Sequence, residues 1–332
     1  MRVELNPSTG SCQDDVIGTR GRHSDRVPAA RSTGRLAALS VTILVTAGVL
    51  VGLAIHGSSP PASSAPAAPP TLAATPTPAA SAAHPAHADP LGTAAASYLS
   101  ARTGTVLAAV YDLRTGQTWS LGTGPPQAEA SVVKLDVLET LLAERGGSSA
   151  GLAAGDRSLA QQMIEDSDND AATSLWYEVG GPDKIRAFNE SAGLTQTSPS
   201  ACVVCPGFAW PGWGLTTTVP ADQIALLREL VEPGPLLTPA DRSYALSLME
   251  NVTESQRWGV SGGVPAGVTV ALKNGWLPLD SADTNWQINS VGWISGRGRD
   301  YLMAVLDTGN PTEQYGVSTI DGLAALVWQG MS

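Results

Sequence analysis

The chain has 332 residues, 43% of them hydrophobic and 15% charged, with a formal net charge of −11. That apolar share supports a packed core and excludes a wholly disordered chain, while the length suggests about two domains. From Leu91 onward 13 Lys and Arg stand against 25 Asp and Glu, a field that repels phosphate and excludes nucleic acid as a partner.

Residues 1–35 are polar, hold six arginines, and end with Arg31 and Arg35 just before an apolar run. Leu36–Ile55 carries no charge over twenty residues, the length a helix needs to cross a bilayer. The arginines on its N-terminal flank predict a cytoplasmic tail over 1–35 and everything after the run outside the cell membrane. Segment 36–56 is therefore expected to be a single-pass anchor. A cleaved signal peptide is the competing reading, although such peptides have a shorter apolar core with a small-residue cleavage site close behind. No cysteine follows the run, so lipid anchoring there is not expected. Residues 57–90 are Pro, Ala, Ser and Thr with almost no charge or aromatic ring. They predict a disordered spacer, reaching roughly 100 Å at ~3.1 Å per residue and long enough to carry a domain into a cell wall.

One folded domain is expected over 91–332. Thr105–Leu113 and Thr118–Leu121 flank Arg-Thr-Gly-Gln and predict a hairpin. Ser131–Arg145 has helical spacing, with Leu135, Leu138, Leu141 and Leu142 on one side. Further helices are predicted over Leu159–Glu165, Asp170–Val179, Asp183–Glu190, Ala221–Leu230 and Pro239–Asn251. Strand-like sequence returns at Val268–Leu272, Trp286–Ile294 and Tyr301–Asp307, and a closing helix follows at Val317–Gln329. The order is α+β: an antiparallel β-sheet with flanking helices and an all-α subdomain inserted between its strands.

All four histidines, His23, His56, His84 and His87, precede the domain. Ser-His-Asp and Cys-His catalysis and His-ligated zinc are thereby excluded from it. Acid–base chemistry has to use lysine, carboxylates or hydroxyls, and the chain has only three lysines: Lys134, Lys184 and Lys273. Ser131-Val-Val-Lys134 opens a predicted helix, where residues i and i+3 share a face and unpaired N–H groups favour developing negative charge. A lysine with a depressed pKa is the natural base for such a serine. Taken alone, the motif also fits a helix N-cap beside a surface lysine. Ser167-Asp168-Asn169 lies in a break between helices, where all three residue types also serve as caps. Lys273-Asn274-Gly275 ends an apolar strand, where a lysine needs a partner or a cleft and glycine admits a close backbone approach.

In this order the three motifs are the signature of penicillin-recognising serine enzymes, and the chain from about Leu91 to Gln329 resembles the class A β-lactamase family. Glu129–Leu135, Met163–Ala171 and Thr216–Pro220 support the resemblance. It implies that Ser131 is the acylated nucleophile and that Lys134 takes its proton, with a pKa lowered by burial and by a second cation. Ser167 would pass a proton to the departing nitrogen, and Lys273 would orient it and attract a substrate carboxylate. Asn169 would hold the substrate's side-chain amide. The N–H groups of Ser131 and Trp276 would form the oxyanion hole, worth about 3 kcal/mol per donor. Asn274, Gly275 and Trp276 complete the substrate-binding residues, and no metal or organic cofactor is implied. The expected ligand is a β-lactam or peptidoglycan-like small molecule, met by an extracytoplasmic monomer.

Several departures qualify that expectation. Class A enzymes carry a loop glutamate that activates the deacylating water, yet residues 192–221 contain no Asp or Glu. Cys202, Cys205, Trp210 and Trp213 occupy that stretch, and the two cysteines are expected to form a loop-stapling disulfide on the oxidising side of the membrane. Glu165 and Asp166 are the nearest substitutes but fit a helix surface. Asn274 stands where the third motif usually has Thr or Ser, and Arg257 and Arg299 are candidates for a carboxylate-binding arginine. Acylation is equipped and deacylation is not. Three readings stay open: a turning-over hydrolase, a penicillin-binding or peptidoglycan-modifying acyl enzyme that releases its adduct slowly, and a non-catalytic wall-binding module. Trp276 is expected in the cleft and most other tryptophans in the core.

Overall fold

A computed structural model describes residues 88–145, 151–206, 208–280 and 282–332. The predicted cytoplasmic tail over 1–35, the predicted anchor over 36–56 and nearly all of the predicted spacer lie outside the described residues. Among the described residues no helix is long and apolar enough to cross a membrane.

The chain enters through α1 (Thr93–Ser100) and forms the predicted hairpin of β1 (Thr105–Asp112) and β2 (Thr118–Leu121). It then runs through β3 (Gln127–Ala128), a 3₁₀ turn (Ala130–Val132) and α2 (Val133–Glu144). Helices α3 (Ala154–Glu165), α4 (Asn169–Glu178) and α5 (Gly181–Ser191) follow, then β4 (Thr217–Thr218), α6 (Pro220–Val231) and α7 (Pro239–Glu250). The chain closes with β5 (Thr269–Pro278), β6 (Trp286–Gly296), β7 (Arg299–Asn310) and α8 (Glu313–Gly330).

The five long strands pair in the order β2-β1-β7-β6-β5, all antiparallel. Helices α2 to α7 are therefore inserted between strands of one sheet, in the chain between its two edge strands β2 and β5, as the element order predicts. Period-two alternation gives the sheet two buried faces. Ala109, Leu302, Ala304, Val291 and Ala271 join the core shared with the inserted helices, around Leu135, Leu138, Met163 and Leu226. Their strand neighbours Ala108, Val110, Met303, Val305 and Leu272 face α8, with Ile320, Leu323 and Val327. Helix α1, which shows no amphipathic spacing in the sequence, is held against α8 by Tyr98 Oη donating to the Ser318 carbonyl at 2.9 Å.

The two-residue ribbon of β3 and β4 positions the site. Gln127 pairs with Thr218 and Ala128 with Thr217, and Glu129 N donates to Thr216 O at 2.7 Å. From the other side, Asn289 on β6 donates to the carbonyls of Ala128 and Glu129, both at 2.8 Å. The backbone immediately ahead of Ser131 is thus clamped between the main sheet and the Thr216–Thr218 segment.

Candidate active site

Ser131 sits inside the 3₁₀ turn that opens α2, half-buried, with Ala130 before it at φ 50°. A left-handed alanine costs about 1–2 kcal/mol and persists only where its surroundings hold it, here the Asn289 and Thr216 hydrogen bonds. Gly275 on β5 lies against the same turn. A Cβ there would stand 2.7 Å from Ser131 N, 2.8 Å from Glu129 O and 2.9 Å from Val132 N. Only glycine lets the strand pass this close, which brings the Ser131 N–H to the edge of β5.

Lys134, one helical turn on, is fully buried. Its Nζ donates to Ser167 O at 2.5 Å, to Ser167 Oγ at 3.1 Å and to Asn169 Oδ1 at 2.7 Å. Lys273 is equally buried and donates to Ser167 Oγ at 2.8 Å and to Asn274 O at 2.9 Å. The Ser167 hydroxyl therefore stands between two ammonium groups. Its backbone, at φ 55°, takes the left-handed bend between α3 and α4 that lets both its carbonyl and its hydroxyl face Lys134. Asp168 caps α4 by accepting from Ala171 N at 2.7 Å. The Ser-Asp-Asn triplet thus supplies a helix cap and a proton-relay candidate together.

Burial brings the Lys134 pKa down from 10.5 to about 7, against a smaller upward pull from Asp168. Burial holds Lys273 well below the ordinary lysine value, and the Lys134 charge adds to the effect. Repulsion between the two lysines disfavours charging both at once.

Trp213 covers the other side of Lys134. Its ring centroid lies 5.0 Å from Nζ, and its Nε1 donates to Thr173 Oγ1 at 3.2 Å. Trp210 reaches Asp170 Oδ1 at 3.3 Å, so both rings pin the 192–221 loop onto α4. Cys202 and Cys205 form the expected disulfide, with Cα atoms 5.7 Å apart. Gly212 N donates to Cys202 O at 2.7 Å, which ties that small ring to the turn carrying Trp213. An aromatic ring thus faces the lysine from the loop in which the family carries its carboxylate. Glu165 turns outward, accepting from Gln161 one helical turn earlier at 2.9 Å.

In front of Ser131 lies a cavity of about 250 Å³, bounded also by Asn169, Gly214, Leu277 and Pro278. Trp276 is on its wall as expected, and Trp210, Trp213 and Trp286 stand there with it. Trp119, Trp176, Trp213 and Trp328 are buried and Trp258 and Trp293 pack against the core, which fits the reading of most other tryptophans as core. Composition signals an excess of tryptophan, yet only the fold decides which rings meet in one place.

Asn274 departs from its expected contact with a substrate carboxylate. Its side chain is fully buried and donates to Gln256 O at 2.7 Å and Trp258 O at 3.1 Å, because strand alternation turns it away from the face of Lys273 and Gly275. Neither candidate arginine reaches the cavity. Arg257 donates to Glu250 O and Val270 O, and Arg299 donates to Trp328 O and Arg297 O. Among the described residues no cluster of His, Cys, Asp and Glu is arranged to hold a metal ion.

Comparison with known proteins places the chain in a family and a fold. The model of the β-lactamase enzyme family matches residues 147–331. LppW of Mycobacterium tuberculosis, whose name proposes a lipoprotein, is 28% identical over 209 residues, covering 60% of this chain and 62% of LppW. The match thus spans less than two thirds of that relative. The carbapenem-hydrolyzing β-lactamase KPC of Klebsiella oxytoca is 26% identical over 173 residues, 52% of this chain and 57% of KPC. Among solved structures, the TLA-1 extended-spectrum β-lactamase superposes with a TM-score of 0.64 at 17% identity, covering 72% of this chain and 97% of TLA-1; that likeness speaks to the fold.

Proposed function

The chain belongs to the β-lactamase enzyme family, and from that premise we propose that it is an extracytoplasmic serine acyl enzyme, acylated at Ser131 by a β-lactam or related amide. The observation that carries this reading is the Ser167 hydroxyl held between Lys134 and Lys273, at 3.1 and 2.8 Å, beside a cavity that Ser131 lines. With a pKa near 7, Lys134 is about half neutral at physiological pH and suited to take the Ser131 proton. The Oγ–carbon bond forms, and the N–H groups of Ser131 and Trp276 face the developing oxyanion. As the carbon–nitrogen bond breaks, the proton passes through Ser167 Oγ to the departing nitrogen. An acyl ester on Ser131 remains. The predicted anchor and spacer support a position outside the cell membrane.

Release of the ester is the slow step in this reading. Residues 192–221 offer no carboxylate, and the Trp213 ring occupies the space over Lys134, which favours slow release of an adduct over rapid turnover. Incubation of the full chain and its Ser131→Ala variant with a penicillin, followed by intact mass over hours, tests both parts. An adduct on the parent alone, cleared over hours, is the expected result. Equal labelling of the variant excludes Ser131 as nucleophile, and clearance within seconds excludes slow release.

A further inference from the structure

The cavity in front of Ser131 has rings for walls: Phe208, Trp210, Trp213, Trp276 and Trp286. Trp210 and Trp213 stand with centroids 6.5 Å apart at 41°, and Trp276 backs onto Trp258 at 6.1 Å. No arginine, aspartate or glutamate is among the cavity's lining residues. The two lysines behind it are fully buried, Lys134 donating to Ser167 and Asn169 and Lys273 to Ser167 and the Asn274 carbonyl. Both Asn274 donors and the guanidinium groups of Arg257 and Arg299 go to backbone carbonyls elsewhere. Around this site the domain carries 13 basic against 25 acidic residues, so an approaching anion meets a repelling field.

We propose that the cleft takes an uncharged ester or amide whose acyl portion carries an aromatic ring, and that it discriminates against substrates with a carboxylate beside the reacting carbonyl. The proposal rests on Ser131 as the nucleophile and narrows what that serine attacks. An aromatic acyl group exchanges water for the tryptophan walls, where stacked or edge-on rings add to the burial of apolar area. A carboxylate entering the same space loses its hydration with no arginine on the cavity wall to replace it. With an ester the chemistry balances simply. The Ser131 Oγ–carbon bond forms, the carbon–oxygen bond to the alcohol breaks, and the serine proton ends on the departing alkoxide. Water later splits the acyl enzyme into acid and free serine.

Two matched pairs of probes test this on the full chain, with Ser131→Ala as the blank. Benzylpenicillin and its methyl ester differ by one carboxylate charge; p-nitrophenyl phenylacetate and p-nitrophenyl acetate differ by one ring. Acylation rates are read by intact mass in single turnover and corrected for the reactivity of each probe towards hydroxide. The methyl ester is expected to acylate Ser131 faster than the free acid by about tenfold or more. The phenylacetate is expected to exceed the acetate by a similar factor, and Trp286→Ala should reduce that preference. Faster reaction of the free acid, or no preference for the ring, overturns the proposal while leaving Ser131 as nucleophile. Failure of even p-nitrophenyl acetate to label Ser131 overturns the nucleophile and the proposal together.

Discussion

Replacing Trp213 with alanine removes the ring that seals Lys134 from the cleft, and the structure sets the direction of the result. Two effects of the ring oppose each other. Its π-face, 5.0 Å from Nζ, favours the charged ammonium by about 0.5–2 kcal/mol. Its bulk helps exclude water, which favours the neutral amine, and burial is the first cause of the fall from 10.5 to about 7, equivalent to about 5 kcal/mol. Desolvation is the larger effect, so opening that side should raise the Lys134 pKa. A rise to about 8 would cut the neutral fraction at pH 7 from about one half to about one tenth, slowing acylation about fivefold there and moving its midpoint to higher pH. Single-turnover acylation of the full chain from pH 5.5 to 9.5 measures that midpoint. Trp213→Phe, which keeps a ring but loses the bond to Thr173, should leave the midpoint near 7. A midpoint in Trp213→Ala that stays at 7 or falls would refute the argument that exclusion of water by Trp213 tunes this lysine.

Gly275→Ala should abolish measurable acylation and lower the unfolding temperature, because the added methyl meets backbone at 2.7 to 2.9 Å on three sides; overpacking of this kind costs about 1–3 kcal/mol. Unaltered acylation in that variant would show that the nucleophile turn tolerates displacement from β5. Stability should fall as pH rises from about 4 to 7. Burial raises the carboxyls of Asp136 and Asp307 to about 7 and those of Glu129 and Glu139 well above their ordinary value. In that window the folded state binds more protons than the unfolded chain, so unfolding becomes easier with increasing pH. Lys134 and Lys273 work in the opposite sense but are two groups against four. Urea midpoints at pH 5 and pH 7 check the sign, and a higher midpoint at pH 7 would contradict it.

Much of the fold is legible because burial is periodic along the chain. The leucines of α2 repeat at helical spacing, and the two-residue alternation of β7 separates Leu302 and Ala304 from Met303 and Val305. Helix α1 escapes notice because its alanines mark no face. The β3–β4 ribbon escapes because two residues per strand carry no period, although it anchors the turn that presents Ser131. Lys273 is conspicuous as a charge in an apolar strand, and the absence of histidine from the domain forces attention onto the lysines.

The sequence by itself determined the order of the long strands and of helices α2 to α8, the candidate chemistry of Ser131, Lys134, Ser167 and Lys273, and the lack of a carboxylate in residues 192–221, since all of these are carried by residue type and local spacing. Only the tertiary structure decided that Ser167 Oγ meets both ammonium groups, that Asn274 turns away from the cleft, and that four tryptophans converge on one cavity. These are contacts between residues far apart in the chain. Their geometry depends on how the loop over α4 and the edge of β5 pack against the nucleophile turn, and no local pattern encodes the direction in which a side chain points across such an interface.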